Sequence, residues 1–182
     1  MTFFEFLMVL IGLVGAIAIS ALLSFLGHIT RNWKTVSNPL LFLVLAFWML
    51  VNVVGHITGI WAYRHVDLDV YTTTFIIVAP IVFFTLAVTT LVPTNVLDDQ
   101  NLDLDMVYFS TCRPVFVLLA LHTLTAVIAD YLPGVTDAPP PAFMITMTIL
   151  LVAGAITKSK RVHLLLLCLL LLSQAMPGWL SD

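Results

Sequence analysis

The hydrophobic and polar positions divide the chain into six apolar stretches, roughly 3–26, 39–63, 70–92, 108–130, 141–157 and 162–180. Each approaches the length of about 20 apolar residues that a helix needs to cross the hydrocarbon of a bilayer. Pro39 and Pro141 stand where helices begin, a position that tolerates a missing N–H. Pro80 falls inside the third stretch and predicts a kink there. Pro114 marks the first turn of the membrane part of the fourth, which leaves the amphipathic LDLDMVYF (102–109) at the interface. The connection DAPPPAF (137–143) reads as stiff and extended.

Composition turns this pattern into a class. The chain is 61% hydrophobic and 9% charged, with a mean hydropathy of +1.11. Soluble domains carry about 25% charged residues, so this chain lacks the polar surface to cover a globule, and the bilayer is its solvent. A net charge of only −3 carries no footprint for nucleic acid. Cys112 and Cys168 form no CxxC pair and imply no disulfide framework. The first apolar run has no basic residues before it and is too long for a signal peptide, so it reads as a retained helix. The expected fold is an all-α integral membrane protein, a six-transmembrane-helix bundle forming a single domain over residues 1–182.

The distribution of Lys and Arg predicts the orientation. Arg31, Lys34, Lys158, Lys160 and Arg161 fall in the first and fifth loops, and Arg113 lies at the foot of the fourth helix on the same side. The other side holds only Arg64. Both termini are therefore expected outside, in the periplasm if the cell is a Gram-negative bacterium. Gly12, Ala16, Ser20 and Ser24 recur every four residues, a stripe that lets another helix approach closely. LLLLCLLLL (164–172) reads as a lipid-facing side.

The string GHIT occurs twice, at 27–30 and 55–58. With consecutive helices running in opposite directions, His28 falls at the basic interface and His56 in the outer third, so the copies do not form one site. Trp48, Asn52, Gly55 and Gly59 share one helical face with the GxxxG spacing, and His56 lies one turn above Asn52. His122, on the fourth helix, lies at matching depth. Two facing imidazoles could ligate a b-type haem or a metal, bind a quinone or carry protons. The plainer alternative, that each makes an interhelical hydrogen bond and no cofactor is present, carries more weight. Asn52, His56, His122 and Gln174 are expected together in the outer half, with Arg64, His65 and Glu5 just above. This polar cluster is the place to look for a site, because intramembrane polar groups are costly and often functional.

The loop VLDDQNLDLD holds Asp98, Asp99, Asp103 and Asp105. Aspartates on such a loop hold Mg²⁺ and diphosphate in membrane prenyltransferases. A second acidic motif on the same side is missing here, so a solvated loop preceding helix four is expected. At HITGIWAYR (56–64) and PTNVLDDQNLDLDMVYFSTCRPVFVLLALH (93–122) the chain resembles a family of small multi-pass bacterial inner-membrane proteins with no assigned activity. His56, Trp61, Arg64, Pro93, Asp105, Tyr108 and Arg113 carry the resemblance, while Ile57 and Thr58 stand where its pattern has bulky aromatics. The resemblance implies the six-helix topology and no reaction. The functional expectation is an accessory or interaction subunit, with a membrane-protein partner or a second copy of itself. The alternatives are a proton-coupled carrier and a haem- or quinone-binding redox subunit using His56 and His122.

Overall fold

A computed structural model describes residues 3–63, 70–92, 103–131 and 141–175. Among these the protein is all-helical: α1 (Phe3–Arg31), α2 (Leu40–Gly59) with a 3-10 turn at Ile60–Tyr63, α3 (Val70–Leu91), α4 (Leu104–Asp130), α5 (Pro141–Ile156) and α6 (Lys160–Ala175). Three segments, Phe4–Arg31, Leu40–Gly59 and Leu104–Asp130, are long and apolar enough to cross a membrane.

Local chemistry sets the helix ends. Pro39 is the N-cap residue of α2 and Pro141 opens α5, so neither ring removes a helical hydrogen bond. Asp103 caps α4 by accepting a hydrogen bond from the Asp105 N–H at 3.0 Å. Asn38, just before α2, takes a φ of 50°, the left-handed region that Asn tolerates better than most residues. Helix α4 runs without a break through Pro114, and its first turns carry the fully buried Leu104 and Tyr108, so this stretch packs against the bundle. The leucines of α6 are also two-sided. Leu166, Leu167 and Leu170 are buried, whereas Leu165, Leu169 and Leu172 are exposed, because a helix at one edge of a bundle must still bury one stripe.

One continuous cluster of buried apolar side chains draws on all six helices. Helix α4 sits between α3 and α5, α1 packs on α3 and α2, and α2 meets α6. The last contact is fixed by the buried Trp48, whose Nε1–H donates to the Leu170 carbonyl at 3.2 Å. The basic loops gather at one end. The Leu104 N–H donates to the Ser37 carbonyl at 3.1 Å, joining the α1–α2 loop to the start of α4. Lys160, opening α6, forms an ion pair with Asp105 of α4. At the other end the rings of Phe4 and Trp61 meet, with centroids 5.5 Å apart.

Candidate functional site

His56 of α2 and His122 of α4 come together. Their ring centroids lie 5.5 Å apart, with the planes at 65°. His122 is only 7% exposed and is held by α3: its Nδ1 lies 2.8 Å from the Pro80 carbonyl, and Phe84 packs on its ring with centroids 5.2 Å apart. A carbonyl oxygen can only accept, so Nδ1 carries the proton and donates it. Neutral His122 therefore keeps its free lone pair on Nε2. Proline, which weakens α3 by lacking an N–H, here supplies the carbonyl that orients the imidazole. His56 is different. Its Nε2 is buried and has no hydrogen-bond partner, although buried polar atoms are nearly always paired.

The expected interhelical hydrogen bond therefore belongs to His122 and a backbone carbonyl, and the Nε2 of His56 makes none. Replacing His122 by Leu should lower stability by about 1 kcal/mol, the scale of such bonds in membranes. His56→Leu should leave stability unchanged or raise it, since it removes an unpaired buried atom. Denaturation of both variants in bicelles checks this, and an equal loss in both would show that His56 also has a structural partner.

The pair does not fit a haem. A macrocycle needs a flat slot between its axial rings, with free space around it. Here the two rings are close neighbours, Phe84 packs against one of them, and the large cavity described below is lined by neither. Among the described residues no group of three His, Cys, Asp or Glu side chains is placed to hold a metal ion.

The rest of the expected cluster is divided. The Asn52 side chain donates to the Trp48 carbonyl at 2.9 Å, one turn back on its own helix. Arg64 and His65 lie outside the described residues, as does the side chain of Gln174. Gly55 and Gly59 do not face inward with Trp48. Both are exposed, with no atom within 4 Å of where a Cβ would stand. His28 belongs to the basic end, where Asn32 lies within 3.2 Å of its ring. Of the acidic loop, Asp103 serves as a cap and Asp105 as an ion-pair partner, while Asp98 and Asp99 lie outside the described residues.

A second polar pair, which the sequence reading does not single out, lies at the basic end. His163, on the first turn of α6, is 0% exposed. Its Nε2 lies 3.0 Å from the Thr157 carbonyl and its Nδ1 2.7 Å from the Tyr108 hydroxyl. The carbonyl requires a proton on Nε2, so in the neutral ring Nδ1 accepts and Tyr108 donates. Tyr108, Phe109 and Phe116 surround the ring with centroids 5.3 to 5.5 Å away. Both polar atoms of this imidazole are satisfied, and the cluster ties α4 to the α5–α6 turn and to α6. Its only sequence signal is a histidine just inside a leucine run, opposite a tyrosine of unknown depth.

Between these two polar levels the inward side of α4 is dry: Val115, Phe116 and Leu119 are all fully buried. Comparison with known proteins adds no relative: no family model, no curated protein and no solved structure matches the chain, and the resemblance to small inner-membrane proteins rests on the residues that carry it.

Proposed function

We propose that this chain is a small multi-pass membrane protein, with its six helices spanning the bilayer and both termini outside, that acts as an accessory or interaction subunit through helix–helix association. The observation that carries this reading is the outer face of α1. Ala16, Ser20 and Ser24 are exposed, and a Cβ on Gly12 would meet nothing within 4 Å. The small-residue stripe is thus unused by packing among the described residues. In lipid, small side chains gain little from acyl chains and most from a helix that can come close. The exposed Gly55 and Gly59 of α2 offer a second such surface.

Crosslinking in native membranes tests this reading. With the exposed Cys168 changed to Ser, leaving only the buried Cys112, Ser20→Cys should give crosslinked species of higher mass. Adding Ala16→Leu should reduce them severalfold. Leu165→Cys and Leu172→Cys, on the exposed side of α6, should give few. Equal crosslinking from α1 and α6 would count against the proposal, because it would mean random collision.

The unpartnered Nε2 of His56 favours a second reading, a polar ligand such as a quinone headgroup bound beside His122. A proton-coupled carrier is less well supported, because the apolar layer of Val115, Phe116 and Leu119 interrupts any polar path along α4. Quinone-dependent quenching of tryptophan fluorescence, present in the parent protein and lost in His56→Leu, would support this second reading.

A further inference from the structure

Helices α4 and α5 border an open-sided groove with a volume of about 830 Å³. Its lining changes character along its length. At the basic end stand Arg113 and Lys158, with Ser110 and Thr157. Away from that end the lining is apolar, with Val117, Leu121 and Val152, all exposed on the outer side of the bundle. No carboxylate lines the groove.

The two cations are available. The ion pair at this end joins Lys160 to Asp105, and among the described residues neither Arg113 nor Lys158 is in one. Two of the neutral donors are already engaged. Ser110 donates to the Val107 carbonyl at 2.8 Å, and Thr148, further along the groove, to the Met144 carbonyl at 2.9 Å. Among the described residues the guanidinium and the ammonium are therefore the charged donors free to hold a ligand, beside the Thr157 hydroxyl, which accepts from the Ser159 N–H.

Depth identifies the kind of ligand. At 1.5 Å per residue, Arg113 lies about 26 Å along the helix from Asp130. The hydrocarbon core is about 30 Å thick. With Asp130 at the far boundary, Arg113 stands at the near one, where headgroup phosphates lie. From Arg113 to Leu124 the apolar floor runs about 16 Å, close to the depth of one leaflet. A free phosphate would use the cations and leave this floor bare. A zwitterionic lipid would fit the floor but bring its own cation to Arg113 and Lys158.

We propose that the α4–α5 groove binds an anionic phospholipid of the leaflet at the basic end, with its phosphate between Arg113 and Lys158 and an acyl chain along Val117, Leu121 and Val152. Arginine suits this position because its fork can bond two phosphate oxygens at once, and basic pockets between membrane helices recognise anionic headgroups in this way.

Native mass spectrometry of the full chain in nonionic detergent tests the proposal, with phosphatidylglycerol and phosphatidylcholine of identical chains as probes. Phosphatidylglycerol should bind at least tenfold more tightly. The double variant Arg113→Gln/Lys158→Gln should reduce that affinity at least tenfold, to the level of phosphatidylcholine. Arg161→Gln removes an exposed cation at the same end that does not line the groove, and should change affinity less than twofold. Ala120→Phe fills the groove with both charges intact and should also weaken binding; if the double variant loses helix content, this variant decides. The assignment is overturned by equal binding of the two lipids, by undiminished binding in a folded double variant or in Ala120→Phe, or by a loss in Arg161→Gln as large as in the double variant. Displacement of the lipid by an equal concentration of inorganic phosphate would make this a phosphate site and overturn it as well.

Discussion

Replacing Gly154 by Val should destabilise the helical assembly by about 3 kcal/mol, the upper part of the usual range for overpacking a close contact. A Cβ on Gly154 would stand 2.5 Å from Phe116 Cδ1, 2.6 Å from Cε1 and 3.0 Å from Cγ. The obstacle is a whole ring, not the flexible tip of a side chain. Phe116 is fully buried, and its ring also meets that of His163 with centroids 5.5 Å apart, so it has little room to turn. The added bulk must instead push α5 away from α4, along with the groove between them. Gly12→Ala and Gly55→Ala are the matched controls, because a Cβ at either position meets nothing within 4 Å. Both should stay within about 0.5 kcal/mol of the parent, as substitutions away from packed features usually do. Unfolding of the purified protein in bicelles by a denaturing detergent measures all three. If Gly154→Val proves as stable as Gly12→Ala, the close approach of α4 and α5 is not as described.

His163→Ala should cost a similar amount, on the order of 3 kcal/mol, for a different reason. Part is a cavity, because the imidazole is fully buried and its ring meets those of Tyr108, Phe109 and Phe116. The transfer part of that loss is smaller than in water, since lipid is as apolar as the protein interior. The rest is the Tyr108 hydroxyl, left buried without the acceptor it now has at 2.7 Å. Orphaning such a group costs about 1–3 kcal/mol. The asymmetry of that penalty supplies the control. Tyr108→Phe with His163→Leu removes donor and acceptor together and should recover more than half of the loss. A double variant no better than His163→Ala would mean that packing alone accounts for the effect. Both this substitution and Gly154→Val act on Phe116, so their combination should not be additive.

Hydropathy revealed the six helices, three of them long and apolar enough to cross a membrane, because a crossing demands a long apolar run. That rule is coarse at the ends. It does not show that Leu104 and Tyr108, at the start of the fourth helix, are buried against the bundle, nor that Leu167 and Leu170 of α6 are buried beside leucines that face outward. In a soluble protein polar residues mark the outer face of a helix. In a helix that crosses a membrane, lipid and core call for the same leucine, so apolar residues do not reveal which way a face points. The same ambiguity hid the role of the small residues: spacing showed that α1 has a close-approach stripe, but not that the stripe looks away from the rest of the chain.

The sequence by itself determined the class, the helices and the end of the bundle at which the basic loops gather, because composition and charge act through the solvent and need no knowledge of neighbours. It also gave the matching level of His56 and His122 along the bundle, since level follows from counting residues at a fixed rise per residue. The tertiary structure alone decided azimuth. It turned His56 and His122 toward each other, gave His122 a carbonyl on α3 and His56 Nε2 no partner, and joined Tyr108 to His163 across 55 residues of sequence. It also opened the groove where Arg113 and Lys158 meet an apolar floor. Azimuth depends on how six helices share their surfaces at once, through contacts such as Phe116 against Gly154 and Trp48 against α6. Each of these contacts is short-ranged and joins residues far apart in the chain, so no local pattern of the sequence records it.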